Sequence, residues 1–136
     1  MPLLVSEQTS AACKRFWDDA DTIVSCRLLY VESAAAVAQA QRLGRITTRM
    51  RVASVARLDE LWDQIAVIEI DDALTRRAAA LAARFGLRGY DAVHCASAEQ
   101  LADPDLVAAA GDGQLLGAWH ELGIATFDTN GTGGGL

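Results

Sequence analysis

Lysine is almost missing from this chain. Lys14 is the only one among twelve basic residues. A phospho-accepting receiver domain wants a lysine beside its acidic site, and Lys14 falls in the first helical segment, so that chemistry is disfavoured. Histidine is nearly as scarce. His94 and His120 are too few for a His-rich zinc site. The three cysteines, Cys13, Cys26 and Cys95, are widely spaced and form no C-x-x-C. This argues against a disulfide scaffold or a cysteine zinc site and for reduced, buried thiols acting as small hydrophobes. A Ser-His-Asp or Cys-His pairing survives the count, but no nucleophile-elbow motif supports one. No run reaches the ~18–20 apolar residues that span a bilayer, and no charged-then-apolar signal segment opens the chain. The expectation is a cytoplasmic protein with no membrane partner.

What is present suits one domain. The chain has 136 residues, 51% of them hydrophobic, and a net charge of −6. A domain this acidic is a poor non-specific nucleic-acid binder. Its charge is uneven, however. No acid occurs between Glu32 and Asp59, and that interval carries Arg42, Arg45, Arg49, Arg51 and Arg57. The segment reads either as a solvated helix face or as a patch that contacts phosphates. Trp17, Trp62 and Trp119 read as core or interface residues rather than base-stacking platforms.

Periodicity and turn residues divide the chain into alternating elements. Helices are expected over 7–20, 28–43 (closed by Gly44), 47–64, 72–85, 90–102 and 114–122. In the helix at 47–64, Thr47 or Thr48 is a candidate cap, and Val52, Val55, Leu58, Leu61 and Trp62 form an apolar stripe. Short strands are expected over 22–26, 66–70, 106–110 and 123–127. Such alternation indicates an α/β domain with a mainly parallel sheet. The run LVAAA suits a strand covered on both faces. The tail from residue 129 to residue 136 is Gly-rich and expected to be disordered, leaving 1–128 as the domain.

Three carboxylates stand in apolar settings. Asp91 opens the helix that follows GLRGY and reads as a helix cap or as something more. Glu32 is the only charged residue from Leu28 to Gln41 and shares a helix face with Leu28, Ala35 and Ala36. A buried carboxylate must neutralise, pair or bind a cation, and a salt bridge to an arginine is the plainest alternative. Asp112 follows LVAAA between two glycines, at the carboxyl end of a strand, where open α/β sheets bind ligands and where a simple N-cap would also stand. Clustered carboxylates cannot all ionise without a cation. Hard oxygen ligands select Mg²⁺ or Mn²⁺, and such ions support phosphate hydrolysis.

The order of these pieces resembles PIN-domain ribonucleases, specifically the VapC-type toxins of bacterial toxin–antitoxin pairs. LLVSEQTSAA resembles the segment just after the family's first strand and catalytic Asp. TIVSCRLLYVESAAAV resembles the second strand and its Glu-bearing helix, RAAALAARFGLRGYDAVHCASA the helix pair around the family's central Asp, and LVAAAGDGQLLGAWHELGI the last acidic strand-turn. The resemblance implies a PIN-like three-layer sandwich, a mainly parallel sheet flanked by helices. It implies Mg²⁺- or Mn²⁺-dependent cleavage of RNA by Glu32, Asp91 and Asp112 as catalytic and metal-holding residues, with Arg88, Arg45 and Arg49 on RNA phosphates. It also implies a homodimer and a cognate antitoxin.

One departure stands out. The family opens with a hydrophobic strand ending in an acid, and here no acid precedes Glu7. On this alignment the N-terminal strand and its Asp are missing, as a late start codon or a degraded gene would leave them. MPLLV as a substitute strand, with Glu7 standing near the missing acid, is the weaker match. The alternative to an active nuclease is a non-catalytic remnant that only binds antitoxin or dimerises.

Overall fold

The structure, a computed structural model, describes residues 1–5 and 18–130. Five strands form one sheet: β1 (Pro2–Val5), β2 (Thr22–Cys26), β3 (Ala66–Ile68), β4 (Val107–Ala110) and β5 (Ala125–Asp128). Their order is β3-β2-β1-β4-β5, and every neighbouring pair is parallel. Five helices are described: α1 (Leu28–Arg42), α2 (Thr48–Trp62), α3 (Asp72–Phe85), α4 (Gly89–Leu101) and α5 (Gly113–Glu121).

The expectation that the N-terminal strand is missing is corrected here. Residues of MPLLV form β1 in the middle of the sheet, with Leu3 opposite Ile23 on one side and Val107 on the other. The physical reason lies in the side chains. A central parallel strand must be apolar on both faces, and Leu3, Leu4 and Val5 are at most 1% exposed. The Ser25 hydroxyl, inside β2, donates to the Val5 carbonyl and adds a side-chain tie between the two strands. The segment from residue 6 to residue 17, including Glu7, Cys13, Lys14 and most of the expected first helix, lies outside the described residues.

Strand alternation sends residues to two covered layers. Leu4, Val24, Cys26, Ile68, Ala108 and Ala110 pack with α3, α4 and α5. Leu3, Val5, Ile23 and Ala109 pack on the opposite face with Leu29 and Trp62. This is the expected three-layer α/β arrangement. Alanines at β4 and along α4 let helix and sheet approach closely, and Cys26 and Cys95 sit among them as buried free thiols.

The helix boundaries follow local chemistry. Thr47 caps α2 by accepting from Met50 N–H, and Asp71 caps α3 by accepting from Leu74 N–H. Gly86 ends α3 with φ +67°, a left-handed conformation that glycine adopts without a Cβ clash. The apolar stripe of α2 is the exception to its sequence. None of its residues is fully buried, and Met50 and Val52 are half exposed. It rests on α1 through a Tyr30–Asp59 hydrogen bond of 2.5 Å and an edge-on Tyr30–Trp62 contact. Of the expected disordered tail, Thr129 and Asn130 are described, and residues 131–136 lie outside the described residues. Thr129 N–H donates to Ala110, and the Asn130 amide donates to the Gly111 carbonyl, so both residues are fastened to the end of β4.

Trp119 on α5 is fully buried, and its indole N–H has no acceptor among the described residues. An orphaned buried donor costs about 1–3 kcal/mol. Trp119→Ala is therefore expected to destabilise the fold by about 3–5 kcal/mol through its cavity. Trp119→Phe should cost much less, because it removes the orphan donor along with part of the volume. Urea denaturation of the two variants checks the order.

Candidate functional site

The strand order reverses direction between β1 and β4, since the chain builds β2 and β3 on one side of β1 and then crosses to the other. Such a switch point opens a crevice beyond the carboxyl ends of the strands. Asp112 stands directly after β4, on this rim. Glu32 lies in the second turn of α1, the helix that follows β2. Asp91 lies in the first turn of α4.

The structure brings Asp91 and Asp112 together through one cation. The Arg88 guanidinium lies 3.6 Å from Asp91 Oδ2 and 3.4 Å from Asp112 Oδ2. Arg88 is itself mostly in solvent, while the side chains of Asp91 and Asp112 are 18% and 28% exposed. The Asp91 carboxyl is pushed above its ordinary value, first by burial, then by the negative charge of Asp112, with Glu32 adding in the same direction; Arg88 and His94 oppose them. All three acids therefore share one electrostatic neighbourhood.

Helix capping separates the acids. Asp112 is a cap: its Oδ1 accepts from the backbone N–H of Gln114 at 2.8 Å and of Leu115 at 3.2 Å. Asp91 is not. The N-cap of α4 is Arg88, without a side-chain cap bond, and Asp91 sits three residues later in the first turn. The expectation that Asp91 caps its helix is corrected: the chain turns into the helix three residues earlier, at Arg88. Glu32 also departs from expectation. Its partner is not an arginine but His94, whose Nε2 lies 3.3 Å from Glu32 Oε2. His94 is 1% exposed, and its Nδ1 lies 3.5 Å from Cys26 Sγ.

Burial opposes charging of this imidazole, but its hydrogen bonds to Cys26 and Glu32 outweigh that, and its pKa rises to about 9. The histidine count and the spacing Asp91 to His94 were visible in the sequence. What they could not show was that β2 and α1 bring Cys26 and Glu32 to opposite nitrogens of one ring.

Arg45 and Arg49 stand elsewhere. They occupy the exposed tip between α1 and α2, and roughly 15 Å of helix separates Glu32 from Arg42 at the start of that tip. The structure thus joins Arg88 to the acids and leaves Arg45 and Arg49 at a distance.

The donor chemistry suits a hard divalent ion. It consists of carboxylate oxygens, two of which already share a cation. The arrangement is two acids plus one rather than a closed cage: among the described residues no three His, Cys, Asp or Glu side chains converge on a single ion position.

Residues 2–115 match the PIN domain family model. This chain is a PIN-domain protein. Ribonuclease VapC49 of Mycobacterium tuberculosis (strain ATCC 25618 / H37Rv) is 35% identical over 121 residues, covering 89% of this chain and 84% of that protein. Among solved structures, PAE2754 from Pyrobaculum aerophilum superposes with a TM-score of 0.69 at 22% identity, over 93% of this chain and 83% of that one. VapBC-1 from nontypeable Haemophilus influenzae superposes with a TM-score of 0.65 at 10% identity, over 96% of this chain and all of that one. These two likenesses establish the PIN architecture of the sheet and its flanking helices. No described helix is long and apolar enough to cross a membrane.

Capping and charge at Asp112 can be separated in this PIN domain. Asp112→Asn keeps the cap acceptor and should leave stability nearly unchanged, whereas Asp112→Ala should cost about 1 kcal/mol. Both variants remove the charge that raises Asp91, so the Asp91 pKa should fall toward its ordinary value in each. Urea denaturation and a carboxyl ¹³C NMR titration read the two effects.

Proposed function

We propose that this chain is the toxin of a toxin–antitoxin pair and cleaves RNA phosphodiesters with Mg²⁺ or Mn²⁺. The observation that supports this most directly is the sharing of one cation by Asp91 and Asp112 at the switch point of the sheet. The relationship to ribonuclease VapC49 supports RNA as the substrate class.

In this reading Asp91, Asp112 and Glu32 hold the ion. The chemistry it supplies is compensation of the charge that builds on the phosphate, and water made nucleophilic near neutral pH. The protein's own contribution is orientation. Asp112 is aimed by two backbone N–H groups, so its second oxygen faces the rim. Burial and its acidic neighbours leave Asp91 short of positive charge. Arg88, mostly in solvent, turns from the carboxylates to a phosphate oxygen, for which a guanidinium is well shaped. Arg45 and Arg49, on the exposed tip, contact phosphates farther along the strand.

The partners that accompany this reading are a second copy of the chain and a cognate antitoxin that blocks the site, in the cytoplasm. The solved VapBC-1 neighbour supports an antitoxin partner. The domain spans residues 1–128 in this reading, with the tail outside it.

A second reading has its own observation. β1 carries no acid, and no three acids converge among the described residues, which favours a PIN module that binds antitoxin without cutting RNA. The two diverge in one assay. Asp91→Asn should abolish Mg²⁺- or Mn²⁺-dependent RNA cleavage while the circular dichroism spectrum and melting temperature stay close to wild type. Full cleavage by the Asp91→Asn variant sinks the nuclease assignment. Wild-type protein that neither binds Mn²⁺ nor cleaves RNA establishes the non-catalytic one.

A further inference from the structure

His94 lies three residues beyond Asp91, one helical turn deeper into the protein on the same side of α4. It is one of few fully buried polar side chains, and both of its ring nitrogens are engaged. Cys26, on the Nδ1 side, is the last residue of β2 and is itself fully buried. Glu32, on the Nε2 side, belongs to the helix that β2 leads into.

An ionised carboxylate accepts and never donates. Nε2 must therefore carry a hydrogen and give it to Glu32, whether the ring is neutral or charged. The sulfur on the other side stops the ring from rotating away. A chain of Cys26, His94 and Glu32 runs from the sheet interior to the acidic rim, and it ties the β2–α1 turn to the helix that carries Asp91. Carboxylates and imidazoles that ligate metals are commonly held by such outer partners.

Resting on the ribonuclease reading above, we infer that His94 is the positioning residue for Glu32: its Nε2–H, braced by Cys26 at Nδ1, fixes the Glu32 carboxylate toward Asp91 so that the acids can serve one ion. Glu32 would otherwise be a half-buried carboxylate on a long side chain, and its rotamer freedom would be lost only at the moment of ion binding. His94 does not touch substrate or ion in this role.

The experiment is a Mn²⁺ titration of the full chain, read by the electron paramagnetic resonance signal of free Mn²⁺, with thermal unfolding followed in parallel. Four proteins are compared: wild type, Asp91→Asn, His94→Leu and His94→Gln. The glutamine amide nitrogen can donate from close to the position of the ring Nε2, whereas leucine fills the space without a donor. His94→Leu should bind Mn²⁺ about 10–100-fold more weakly, and His94→Gln should stay within a few-fold of wild type. If Asp91→Asn loses Mn²⁺ but His94→Leu binds it as wild type does, the positioning role is overturned and the ribonuclease reading stands. If the two His94 variants lose affinity equally while both stay folded, the ring is merely structural and the role is again overturned. If wild type binds no Mn²⁺, the ribonuclease reading falls and takes this inference with it. Should His94→Leu fail to fold, ¹⁵N NMR of the wild-type ring decides. Saturating Mg²⁺ should move the His94 Nε2 resonance as Glu32 shares its charge, and an unmoved resonance overturns the proposal.

Discussion

Five parallel strands can be covered on both faces only if each is short and apolar, and that demand falls hardest on the strand in the middle. β1 has neighbours on both edges and helices or core residues above and below. Its three apolar positions, Leu3, Leu4 and Val5, are almost completely removed from solvent. Everything at the rim depends on it. The register of β1 against β2 and β4 sets the end of β4, and so Asp112, at the same edge of the sheet as the end of β2, one strand away, from which α1 carries Glu32.

The acids then meet a second constraint, one of like charge. Burial and the fields of Asp112 and Glu32 act on Asp91 together, and Arg88 and His94 offset them from two directions. The two cationic groups differ in kind. Arg88 is exposed and held by loose ion pairs, while His94 is enclosed and held on both sides. One can leave the site without disturbing the core; the other cannot.

Most of the architecture was legible in the sequence because punctuation marked it. Gly44, Thr47, Asp71 and Gly86 bound helices at the expected places, and LVAAA formed the doubly covered strand that its lack of alternation implied. β1 was not legible. Four apolar residues carry no period, and the similarity of LLVSEQTS to a later family segment pulled the alignment past them. The stripe of α2 misled in the opposite way. Helical spacing reports which residues share a face but not whether anything covers it, and the described structure leaves that face partly open. At the site, the residue types and their rim positions were readable, including Asp112 as a cap. The partner of Glu32 was not, because His94 is 62 residues away in sequence and reaches it only through the fold.

The thin attachment of α2 has a consequence for how the molecule opens. With no fully buried side chain of its own, this helix leans on α1 across an open cleft lined by Tyr30, Val31, Asp59 and Trp62. Trp62, at its C-terminal end, packs on the cluster of Leu3, Val5, Ile23 and Leu29. The opposite end carries the exposed arginine-bearing tip, so opening there, unlike loss of the whole helix, leaves that cluster covered. Asp91 and Asp112 stand on other elements and keep their places when the tip rearranges.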